Sequence, residues 1–151
     1  APESLPDFKT RMEPHREQLG QWLDLPRPID TRYVNGDPMS RSGQRSSSQL
    51  VWKRADGRLP DDTVLNACVV TYALDTTLLP HGRSYFDGVQ MASLDHAMWF
   101  HRPFRADEWM LYEQRAISSS SARGLAAGSI YTAEGDLAVN VSQEGLIRPT
   151  S

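Results

Sequence analysis

Three polar residues stand in apolar registers on three separate segments. Asp75 interrupts the run VTYALDTTLLP at residues 70–80. In LAVNVSQEGLI, Leu137, Val139 and Val141 alternate with Ala138, Asn140 and Ser142, and period two puts Gln143 on the same apolar face. In VQMASLDHAMWF, Val89 and Met91 alternate into Ser93. A carboxylate accepts a proton, an amide offers two donors and an acceptor, and a hydroxyl does both. Together Asp75, Ser93 and Gln143 could hold one water and take its proton. Singly, each has a plainer reading. Asp75 could be a structural acid bonded to backbone N–H groups or an arginine. Gln143 could mark a strand end, or a bulge before Gly145. Ser93 could face a helix or a neighbouring subunit, since both faces of its strand are apolar.

The acid belongs to a helix expected from about Asp62 to Leu79, with Asp61 or Asp62 as N-cap and Pro80 and Gly82 as its stop. On a wheel of about 100° per residue, Val64, Cys68, Tyr72 and Leu79 share one narrow arc, flanked by Leu65, Ala67, Leu74 and Leu78. Asp75 falls inside that arc, and Asn66, Ala73 and Thr77 lie opposite. The carboxylate is therefore expected to face whatever the helix packs against, where an unpartnered charge is very costly. The segment SQLVWKRA (48–55) reads as a strand before the helix. Four extended segments follow it: Val89–Phe100, Trp109–Ile117, Ala122–Thr132 and Leu137–Ile147. HRPFRADE, a serine run and AEGD separate them, the last a hairpin turn with Gly135 near its tip. Strand, long helix and four successive strands make an α+β fold, one helix on an antiparallel sheet of about five to six strands. Residues 1–47 read as a lead-in with a short helix near Glu13–Leu23, a strand at Ile29–Val34 and a Ser/Gly-rich loop, SRSGQRSSS; residues 48–151 form the domain.

The 151 residues suffice for one domain with a core, and the net charge of −3 argues against a nucleic-acid partner. No apolar run approaches a bilayer span, and the N-terminus lacks a signal-peptide pattern. The single cysteine, Cys68, excludes an internal disulfide or multi-cysteine metal site and reads as a packing residue in a reducing, cytoplasmic setting. His96 and His101 fall on opposite strand faces, so no metal is expected between them. Asp95 and His96, adjacent on a strand, also diverge. No Gly-rich phosphate loop, G-x-S-x-G or paired-histidine helix is present.

Longer motifs go further: LPDD (59–62), YALD before LLPHG (72–82), SLDHAMWFHRPFRADEWMLYE (93–113), SSARGLAAGSIYTAEGDLAV (120–139) and QEGLIR (143–148). Over residues 71–148 the chain resembles the C-terminal half of the acyl-CoA thioesterase II family, whose members have a double hot-dog fold. Residues 1–58 fit the linker and opening strand between the two hot dogs. The resemblance implies that Asp75, Ser93 and Gln143 form a hydrolytic centre. Asp75 would act as general base or orient the water, while Ser93 and Gln143 hydrogen-bond that water and the carboxylate. It implies hydrolysis of acyl-CoA thioesters to fatty acid and CoA without an acyl-enzyme. No cofactor is implied, CoA being part of the substrate. Arg102 and Arg123, with Arg105, are candidates to meet the CoA phosphates, since planar guanidinium suits that task. The stretch between Asp75 and PHG is shorter than in many members, which bears on the acyl pocket. The chain has sequence for one hot dog where members carry two. Pairing is therefore expected, as a homodimer or higher oligomer or with a separate N-terminal half. Two other readings stand beside hydrolysis: an acyl-CoA-binding or assembly half, and a hot-dog enoyl-CoA hydratase, for which the D-x-x-x-x-H spacing after the helix is missing.

Overall fold

The computed structural model describes residues 1–39, 48–83 and 89–149. The Ser/Gly-rich loop expected between the first two strands falls almost wholly outside them. Seven strands form one antiparallel sheet: β1 (Ile29–Tyr33), β2 (Ser48–Ala55), β3 (Val89–Ser93), β4 (Ala97–Phe100), β5 (Met110–Ser120), β6 (Arg123–Tyr131) and β7 (Leu137–Pro149). Their order is β1-β2-β5-β6-β7-β3, with β4 also on β7. The long helix α3 (Thr63–Arg83) lies on one face of the sheet, so the α+β expectation holds.

Local chemistry sets most boundaries. Asp62 Oδ1 accepts from the N–H groups of Val64 at 2.9 Å and Leu65 at 3.0 Å, which makes it the cap of α3. Gly135 takes φ 92° in the turn between β6 and β7, a conformation glycine adopts without steric cost. The short helix expected near Glu13–Leu23 is instead a series. It comprises α1 (Phe8–Met12), α2 (Arg16–Leu19) and flanking 3-10 turns, with Pro14 inside one turn and Gly20 at φ 54° ending α2. These pieces pack Met12 and Leu23 on Tyr33 and Val51, covering the β1–β2 end of the sheet.

Three further expectations need correction. The single strand over 89–100 is two strands, because Ser93 pairs with Gly145 and Ala97 with Ser142. Three residues on one side therefore face two on the other, and Asp95 Oδ1 bridges the gap by accepting from the Glu144 N–H at 2.9 Å. The helix does not stop at Pro80 but runs to Arg83; a proline removes one helical donor without always ending the helix.

The third correction concerns the helix face. The buried side of α3 carries Asn66, Val70, Ala73, Leu74, Thr77 and Leu78, all under 9 % exposed. Asn66 and Thr77 tolerate burial because they are bonded. Asn66 Oδ1 accepts from the Ala106 N–H at 2.8 Å, and Thr77 Oγ1 accepts from Gln114 Nε2 at 2.5 Å. Val70, Leu74 and Leu78 pack on Met110, Tyr112, Ile130, Val139 and Val141. The arc chosen by apolar pattern faces outward instead: Val64 is 72 % and Tyr72 55 % exposed, and Cys68 is exposed. Cys68 is thus not a core residue. Among the described residues, no helix is long and apolar enough to cross a membrane.

Candidate active site

Strand alternation delivers Gln143 to the inner face of β7, in line with Val139 and Val141, and it is 0 % exposed. It lies opposite the extra residue between β3 and β4, where Ser93 ends β3. The outward arc of α3 carries Asp75 past the edge of the core, so both Asp75 and Ser93 are exposed. The expectation of a buried Asp75 is corrected for the same reason as the helix face: the side that turns inward is that of Val70, Leu74 and Leu78 with the bonded Asn66 and Thr77.

The three side chains nonetheless meet. Gln143 Nε2 donates to Asp75 Oδ1 at 2.5 Å and to Ser93 Oγ at 3.0 Å, and Ser93 Oγ donates to Asp75 Oδ1 at 3.5 Å. Both bonds converge on Oδ1, and Oδ2 receives none from either residue. Gln143 Oε1 is buried without a hydrogen-bond partner among the described residues. A carboxylate oriented through one oxygen, with solvent on its other side, is suited to accept a proton from water.

Sequence reasoning missed what lies behind this triangle. Lys53 on β2 is 1 % exposed, and its Nζ donates to the Ala73 carbonyl at 2.6 Å and Thr76 Oγ1 at 2.7 Å. Burial pulls this ammonium down to about 7, and the negative charge of Asp75 acts in the opposite sense. Period two does place Lys53 with Val51 and Ala55, which was the available signal. Tyr112 on β5 is also fully buried, and burial, with Asp75 adding to it, pushes its hydroxyl well above the usual value. Its ring lies across Gly128, where an added Cβ would come within 2.3 Å of Tyr112 Cε2.

The two arginines sit apart. Arg102 bonds Asp136 Oδ1 at 2.8 Å before the start of β7, while Arg123 bonds Glu144 Oε2 at 3.2 Å, next to Gln143. Those partners are eight positions apart along the chain, roughly 26 Å at strand rise. Arg105 is held by Asp107 and the Leu59 carbonyl. A cleft of about 540 Å³, lined by Arg102, Phe104, Trp109 and Asn66 among others, lies at the N-terminal end of α3 and does not include Asp75. His101 Nε2 bonds Asn140 Oδ1 at 2.8 Å, and the described residues contain no His, Cys, Asp or Glu cluster arranged for a metal.

A family model described as acyl-CoA thioesterase matches residues 28–146. The chain belongs to the acyl-CoA thioesterase family. It is 42 % identical over 130 residues to acyl-coenzyme A thioesterase 8 of Homo sapiens, a match over 80 % of this chain and 40 % of that protein. A solved acyl-CoA thioesterase II of Mycobacterium marinum superposes with a TM-score of 0.75 at 39 % identity, covering all of this chain and 54 % of that one. A hot-dog protein of unknown function from Alicyclobacillus acidocaldarius, 14 % identical, matches with a TM-score of 0.62 over 100 % of this chain and 53 % of that chain, and shows the fold alone. This thioesterase-family chain thus spans about half the length of the relatives it matches.

Proposed function

We propose that the chain carries the hydrolytic centre of an acyl-CoA thioesterase, with Asp75 as base and Ser93 and Gln143 as its orienting groups. The supporting observation is the convergence of Gln143 Nε2 and Ser93 Oγ on one oxygen of Asp75. A water held at Oδ2 gives its proton to the carboxylate as its oxygen attacks the thioester carbonyl. The tetrahedral adduct collapses, the C–S bond breaks, and Asp75 returns the proton to the leaving thiolate. The products are a free fatty acid and CoA, and no covalent enzyme intermediate is needed. Arg123, bonded to Glu144 one residue after Gln143, is the better placed of the two arginines to meet a CoA phosphate near this centre. The centre opens on the same side of α3 as Val64, Cys68 and Tyr72, and we infer that a second hot dog, from another copy or a separate half, closes over it.

Hydrolysis of a mid-length acyl-CoA by wild type and Asp75→Asn tests this reading. Loss of one positioned base is expected to cut kcat by roughly 10²–10⁴-fold with KM little changed. Equal background rates in the two proteins would sink the hydrolytic reading. Acyl-CoA binding by both with no turnover would favour the assembly-half alternative, which the exposed arc of α3 also supports.

A further inference from the structure

Besides Gln143 and Gln114, a buried charged side chain ties the helix turn bearing Asp75 to the sheet. Lys53 reaches from β2 to Ala73 O and Thr76 Oγ1, and Thr76 Oγ1 itself donates to Ala73 O at 2.8 Å. These partners flank Asp75 on either side in the chain. Lys53 is paired in register with Thr31 on β1 and Met110 on β5, deep under α3. A methionine would fill that slot without the cost of a buried ammonium.

We propose that Lys53 is a positioning residue of the Asp75 centre: its ammonium fixes the Ala73–Thr76 turn and sets a positive charge behind the carboxylate. The rate effects rest on the hydrolytic reading; the electrostatic effect on Asp75 does not. Few other charges compete at this place. Asp75 acts on it from α3, and the same carboxylate acts on Tyr112 of β5; Tyr33 of β1, in register with Val51, feels Arg27 and Asp37, and its carbonyl accepts from Arg11 of α1 at 3.3 Å. Burial pushes Tyr33 up to about 12 and Tyr112 well above its usual value, so both phenols stay neutral across the working range. The described side chains of β3, β6 and β7 facing Asp75 add no titratable group. Lys53, pulled down to about 7 by burial, changes charge near neutrality.

The test compares wild type with Lys53→Met in two measurements. The first is the pH profile of kcat/KM for a mid-length acyl-CoA, with Asp75→Asn as background. Wild type is expected to lose activity above neutrality as Lys53 discharges. Lys53→Met should lack that limb and show kcat reduced about tenfold at pH 6 with KM within about twofold. The second is the nitrogen-15 NMR titration of the Lys53 ammonium, assigned by its absence from Lys53→Met; its midpoint should fall in Asp75→Asn because the carboxylate holds it up. Lys53→Gln, which keeps a donor and drops the charge, serves both measurements if Lys53→Met does not fold. An unchanged alkaline limb together with an unmoved lysine midpoint overturns the proposal. If wild type matches Asp75→Asn, the hydrolytic reading fails, and the lysine titration alone decides the role of Lys53.

Discussion

Gln143 uses its amide nitrogen on two partners at once, Asp75 Oδ1 and Ser93 Oγ, and that fixes which Asp75 oxygen is bonded. Lys53 works from the other side of the helix and makes the fold itself sensitive to pH. Its folded value is about 7 against an ordinary 10.5. Between those values the unfolded chain holds a proton that the folded chain has lost, so stability rises with pH across the interval. The penalty is complete below pH 7 and amounts to at most about 5 kcal/mol. Tyr33, raised to about 12, acts in the reverse sense above pH 10, where folded chains retain a proton that unfolded chains release. Urea midpoints between about pH 7 and 9.5 isolate the lysine. They should climb in wild type and stay level in Lys53→Met; parallel curves would show that the ammonium is not held as described.

At the scale of elements, α3 buries two bonded polar groups, Asn66 and Thr77, among Val70, Leu74 and Leu78, and leaves Val64 and Tyr72 outside. Replacing Asn66 by leucine is expected to strand the Ala106 N–H and cost about 1–3 kcal/mol, measurable as a lower urea midpoint. That pairing spans 40 residues and the Thr77–Gln114 pairing 37, which explains why the buried face was not legible in the sequence. Features set by neighbours in the chain were legible: the Asp62 cap, the Gly135 turn and the alternation that delivers Gln143. Motif order likewise picked out Asp75, Ser93 and Gln143, although the helical wheel gave the wrong reason for Asp75. Lys53 went unread because its acceptors come from a helix 20 residues downstream, and nothing in the strand pattern announces them.

For the molecule as a whole, the outward stripe of Val64, Cys68 and Tyr72 is the face on which we propose that a second hot dog seats. Tyr72→Asp should shift this chain toward monomer in sedimentation velocity while leaving its circular dichroism unchanged. A wild-type chain that sediments as a monomer at all concentrations would argue for a different partner. Gln143 walls the Asp75 carboxylate on its inner side only. On the proposed hydrolytic reading, the opposite wall would come from the surface that seats there, and exchanging that surface, with no change to this polypeptide, would change the tail length accepted.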